Sequence, residues 1–204
     1  FGITKLSNKL HITLYDDFDK FVDLINESFV RQAEFYKKQG IDRPPRKWDE
    51  YIVAKAGNGE IDMLNIELCR NKTAHKNTDL QDFLQVAVHE FVHICHGEII
   101  TKSPLPNYLL EGIATQLSGQ KYYQLAKIDC TAEDLLHNFD DMNKSYHVAY
   151  TLMGFMREKF SHAELLDILS GEKKPDIDKL ITQANEYLQQ KALSANSYSE
   201  PALR

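Results

Sequence analysis

Apolar residues first recur along the chain with a period of two. Leu10-His11-Ile12-Thr13-Leu14-Tyr15 alternates around β-branched and aromatic side chains, which predicts a strand. Asp16 and Asp17 then stand as caps before a change of period. Phe18, Phe21, Val22, Ile25, Phe29, Val30, Ala33 and Tyr36 follow at spacings of three and four, the apolar stripe of a long helix that stops at Gly40. Pro44 and Pro45 mark a loop. Residues 51–55 and 61–68 read as two short strands, joined in a hairpin through Gly57-Asn58-Gly59.

From there the helical period dominates. A polar connection over 71–77 ends at Thr78 and Gln81, a T-x-x-Q capping box for a helix whose predicted core stripe is Leu84, Ala87, Val88, Phe91 and Cys95, with Gly97 as its stop. A connection containing Pro104 and Pro106 leads to Asn107, the expected cap of a helix through Leu117 that Ser118 and Gly119 terminate. Thr131 with Asp134, and Ser161 with Glu164, mark two further helix starts, and 145–160 fits a helix between them. Pro175 suits the first turn of a last helix running to about Leu193. The expected class is α+β, one domain over 1–193, with a frayed tail over 194–204.

Composition narrows the function classes. A net charge of -6 without clustered Lys and Arg argues against a nucleic-acid partner, which would require basic groups to displace counterions. The longest apolar stretches are interrupted by His, Glu or Asp before reaching the roughly 20 residues of a membrane span. Cys69, Cys95 and Cys130 are too widely spaced for a zinc knuckle and are read as free thiols. Oligomeric state and compartment are left unassigned.

The chemistry lies in His89-Glu90-Phe91-Val92-His93, an H-E-x-x-H pattern inside a segment already read as helical. Residues four apart differ by about 40° around a helix, so both imidazoles leave one face and are able to share an ion. Glu90 sits about 100° away, beside such an ion, within reach of a water that it holds. A catalytic zinc takes three protein ligands and keeps one position open. Glu111, on the next predicted helix, is the best candidate for the third, and the small residues Gly112 and Ala114 allow close helix approach.

Val88-His89-Glu90-Phe91-Val92-His93, together with Leu105-Pro106-Asn107-Tyr108-Leu109-Leu110-Glu111-Gly112-Ile113-Ala114, resembles the gluzincin zinc metallopeptidases, in particular the peptidase MA-like group. Their second helix reads W-L-x-E-G-x-A, and here Tyr108 takes the place of Trp. The resemblance implies Zn2+ held by His89, His93 and Glu111, and hydrolysis of a peptide or protein substrate with Glu90 as general base. It further implies a zincin-like α+β fold: a small N-terminal mixed sheet with an edge strand over the zinc helix, then a mostly helical C-terminal half. Residues 61–68, just before the zinc helix, are read either as a sheet edge on which an extended peptide docks or as an ordinary core strand. Tyr146-His147-Val148-Ala149-Tyr150 resembles the Tyr-x-x-small segment of aminopeptidase-like gluzincins, which implies Tyr146 as the oxyanion stabiliser.

Two features depart from better-known patterns. His96 extends the motif to H-E-x-x-H-x-x-H, but a metzincin requires Gly at this position and His where Ile99 stands. His96 is instead expected to interact with the helix C-terminus. Thr115 stands where many gluzincins carry a carboxylate that orients a zinc-ligand His, leaving a hydroxyl or a backbone carbonyl for that role. No G-x-M-E-N-like amine anchor occurs near 57–67, which favours an endopeptidase or a narrow specialised role. Two other readings stand beside the enzyme: a non-catalytic zinc-binding regulatory or binding domain of metallopeptidase fold, and a metal-free helical protein in which Glu111 pairs with a histidine.

Overall fold

The structure is a computed structural model of the 204-residue chain, describing residues 1–38, 40, 42, 44–102, 105–120, 123–142 and 144–197. Pro104 and the tail from 198 onward lie outside the described residues. The chain divides into two compact units, Thr4–Ile94 and Cys95–Arg204, the latter with Phe1–Ile3.

The first unit holds β1 (His11–Tyr15), α1 (Phe18–Lys38), β2 (Ala54–Gly57), β3 (Glu60–Leu64), α2 (Ile66–Lys72) and most of α3 (Leu80–Gly97). Asp17 caps α1 as expected, its Oδ1 accepting from the Lys20 amide at 3.2 Å. The hairpin forms at the expected place, with its first strand at 54–57 rather than 51–55: Asn58 and Gly59 both adopt positive φ, 52° and 82°, the conformation a tight two-residue turn demands. The sheet order is β1-β3-β2, with β1 parallel and β2 antiparallel to β3. β3 is therefore the central strand, and the expectation that 61–68 forms a free edge is overturned: its hydrogen-bonding groups are taken on both sides. The strand is also shorter than read. Asn65 accepts from the Leu68 amide at 2.9 Å and turns residues 66–72 into α2, a seven-residue helix too short for its period to show.

Burial separates the two sheet faces. Ile61 and Met63 pack with Phe83 and Ile94 of α3, whereas Leu64 joins Phe21 and Ile25 of α1 and Cys69 of α2. The buried side of α3 differs from the stripe read from sequence, since Leu84, Val88 and Phe91 are all at least 38% exposed. That helix is apolar on nearly every side, so periodicity alone does not select the face that the sheet covers.

The second unit contains α4 (Asn107–Ser118), α5 (Ala132–His137), a 3₁₀ turn at Phe139–Asp141, α6 (Ser145–Lys159), α7 (His162–Leu169) and α8 (Ile177–Ser197). The Thr131–Asp134 capping box and the Ser161 cap form as predicted. The last helix starts later than Pro175 suggests, capped by Asp176 through the Lys179 amide at 3.1 Å, and it continues through 194–197, which had been expected to fray. α4 packs most extensively against α6. They approach closely at Gly112, where an added Cβ would lie 2.9 Å from the Ala149 carbonyl oxygen and 3.1 Å from Met153 Cβ. The small residue at 112 is thus required, and its partner is α6.

All three cysteines are free thiols. Among the described residues no helix is long and apolar enough to cross a membrane.

Candidate metal centre

α3 begins one residue later than its expected cap. Asp79 Oδ1 accepts from the Asp82 amide at 2.7 Å, while Thr78 is buried beside Cys69, with which its side chain hydrogen-bonds. Ten residues on, the helix presents His89 and His93 from successive turns. Their Nε2 atoms converge to 3.1 Å, with ring centroids 4.8 Å apart and planes at 80°. Two nitrogens bound tetrahedrally at about 2.0–2.1 Å from one ion lie roughly 3.3 Å apart, so the pair already has nearly the spacing that a shared metal requires. Glu111 completes a group of three: the ligand atoms of His89, His93 and Glu111 all lie within 4.8 Å of one another. Two imidazole nitrogens and one carboxylate oxygen form a donor set suited to a divalent metal.

Glu90, next to His89 on the helix, is only 9% exposed, and His89 only 7%. A carboxylate at that depth is costly to leave without partners, so its burial beside the histidines concentrates acid–base chemistry there.

Thr115 is fully buried, and its hydroxyl proton goes to its own helix, with the Glu111 carbonyl at 2.7 Å and the Gly112 carbonyl at 3.0 Å. That proton is committed to the α4 backbone, which leaves only the hydroxyl lone pairs to accept a histidine N–H where many gluzincins carry a carboxylate. Tyr108 is 1% exposed, and burial pushes its phenol well above the ordinary range, keeping it protonated. Among the described residues its hydroxyl has no hydrogen-bond partner.

Tyr146 lies in the first turn of α6, 39% exposed. Its ring stacks on Tyr123 at 5.9 Å with planes 15° apart, and Phe139 tilts against it at 6.1 Å. The sequence reading did not single out Tyr123. An aromatic soon after a helix-ending Gly119 was the available signal, but only packing shows that it meets Tyr146.

His96 is a correction. Rather than acting at the end of its own helix, it is completely buried, and its Nε2 donates to the Leu169 carbonyl at 2.7 Å, in the last turn of α7. Its ring stacks on Phe1 at 5.7 Å. It belongs to the second unit's packing and not to the metal group, in keeping with rejection of a metzincin.

Compared with protein-family models, with curated proteins and with solved structures, the chain finds no match.

Proposed function

We propose that the chain is a zinc-dependent peptidase of the gluzincin type, with a zincin-like fold. The observation that carries this reading is the convergence of His89, His93 and Glu111, with ligand atoms within 4.8 Å of one another, beside a Glu90 buried on the same helix as the histidines. Zinc, when bound, supplies Lewis acidity toward a carbonyl oxygen and lowers the pKa of water toward 7.

In this reading His89, His93 and Glu111 hold the ion. Glu90 accepts a proton from the attacking water and returns it to the departing amine as the peptide bond breaks. Tyr146, its ring held between Tyr123 and Phe139, donates a hydrogen bond to the oxygen on which negative charge develops. Glu90 and His89 are largely shielded from solvent, which strengthens the electrostatics of the proton transfer.

The test is metal analysis of the purified protein, followed by hydrolysis of a mixed peptide library with and without Glu90→Gln. Stoichiometric zinc with cleavage that vanishes in Glu90→Gln supports the peptidase. Zinc without Glu90-dependent cleavage assigns the chain instead to a metal-holding binding domain. Protein that takes up no zinc leaves a histidine–carboxylate network of structural purpose.

A further inference from the structure

Between α4 and α5, residues 123–129 run without a turn or bend. Side chains hold this segment at every second backbone amide. The Gln124 amide donates to His147 Nδ1 at 3.2 Å, the Ala126 amide to Thr151 Oγ1 at 2.9 Å, and the Ile128 amide to Asn185 Oδ1 at 3.0 Å. Asn185 Nδ2 returns a bond to the Ile128 carbonyl at 2.9 Å. His147 and Thr151 are one turn apart on α6, about 6 Å along the axis. Two residues of extended chain span about 6.6 Å. The match explains the alternation: the helix side chains take the place of a partner strand along one edge.

The other edge is open. In an extended chain successive amides point to opposite sides, so the amides of Leu125 and Lys127 face away from the pinning side chains. Among the described residues no backbone or side-chain group pairs with them. Leu125 is 47% exposed, and Ile128, at 3%, anchors the far end. The near end begins at Tyr123, stacked on Tyr146 and tilted against Tyr150 at 6.4 Å. Those two tyrosines flank Ala149, whose carbonyl meets Gly112, the neighbour of Glu111. The open edge thus starts beside the helix contact that positions a site residue.

We propose that residues 123–128 form a preassembled strand edge that binds the substrate as an extended peptide, through the backbone groups of Leu125 and Lys127. The inference rests on the peptidase reading and assigns where the substrate backbone docks. An extended peptide presents the same alternation of N–H and C=O, so it is the ligand class that completes a strand edge. Because the edge is fixed beforehand by His147, Thr151 and Asn185, little ordering cost remains to be met on binding.

The test uses amide hydrogen exchange, read residue by residue by NMR on the full chain carrying Glu90→Gln. The probe is a capped peptide picked from a mixed library by its Glu90-dependent cleavage in the parent protein. Without peptide, the amides of Gln124, Ala126 and Ile128 exchange slowly and those of Leu125 and Lys127 rapidly. Saturating peptide is expected to slow Leu125 and Lys127 by roughly tenfold or more while leaving the other three unchanged. A second arm compares Lys127→Pro with Lys127→Ala in the catalytically intact protein. Proline removes an amide that holds nothing within the described fold and favours extension of residue 126. Lys127→Pro should raise KM roughly tenfold over Lys127→Ala, with kcat within about twofold. Peptide that is cleaved while Leu125 and Lys127 still exchange rapidly, or equal KM in the two variants, overturns the docking edge and spares the peptidase. A library with no Glu90-dependent cleavage removes both.

Discussion

α3 and α4 both carry site residues, but they are packed in different ways. α3 leaves Leu80, Leu84, Val88 and Phe91 between 38% and 63% exposed along one stripe, whereas α4 buries Tyr108, Leu109, Ile113, Ala114 and Thr115 to 4% exposure or less, with Gly112 buried among them. The histidine pair tolerates a helix that is open on one side, because its geometry is internal: four residues of helix suffice to bring two Nε2 atoms to 3.1 Å. A single carboxylate has no such partner on its own helix. Its position depends on how α4 is seated, and that is set by the contact of Gly112 with Ala149 on α6.

Five substitutions test that contrast, from the largest expected effect to the smallest. On the proposed peptidase reading, Glu90→Gln should lower the rate of peptide hydrolysis by roughly 10²- to 10⁴-fold while metal content stays unchanged, as measured by single-turnover assay and metal analysis. In the packed helix, Ile113→Ala should cost about 2–5 kcal/mol in denaturant unfolding, because it leaves a cavity. Gly112→Ala should cost about 1–3 kcal/mol and weaken zinc retention, since a methyl meets backbone that does not move aside. Unchanged stability and metal affinity in Gly112→Ala would show that Glu111 is placed by something other than the α4–α6 contact.

Thr131→Ala, which removes the hydroxyl half of the α5 capping box and leaves the bond from its backbone amide to Asp134, should cost about 1 kcal/mol at neutral pH. Its effect is also pH-dependent. The Thr131 backbone amide, and then its hydroxyl, hold the Asp134 carboxyl below the ordinary carboxylate value. A lowered folded pKa means that the stabilisation is present above the unfolded value of about 4 and is lost as pH falls through the folded one. The gap between parent and variant, followed by urea melts, should therefore narrow below about pH 4. Least of all, Leu84→Ala on the exposed stripe of α3 should change stability by no more than about 0.5 kcal/mol. A loss comparable to that of Ile113→Ala would mean that the stripe is covered in solution, and the contrast between the two helices would collapse.

Most local signals were legible where one residue's own hydrogen bond decides the outcome, although Asn107, read as the cap of α4, lies instead in its first turn behind Pro106 and donates its side-chain amide to Asp140. Asp17, Ser161 and the Thr131–Asp134 pair cap the helices assigned to them, and Asn58-Gly59 turns the hairpin. The errors occur where neighbours compete. Asn65 diverts an apolar run from strand to helix, and Asp79 takes the cap that Thr78 leaves by turning inward to Cys69. β1 pairs with β3 across the whole of α1, an association between distant segments that places β3 at the centre of the sheet. Nothing within 61–68 encodes that position.

For the candidate site the division follows the same physics. The H-E-x-x-H spacing determined by itself that two imidazoles share one helix face with Glu90 alongside, because helical geometry is fixed by backbone hydrogen bonds within a few residues. The sequence also nominated Glu111; only the tertiary structure brought its carboxylate within 4.8 Å of the histidine nitrogens, gave the Thr115 hydroxyl proton to its own helix, set His96 against α7 and held residues 123–128 along one edge. Each of these depends on contacts between residues distant in sequence, and such contacts are set by which faces pack together rather than by the spacing of residues along the chain.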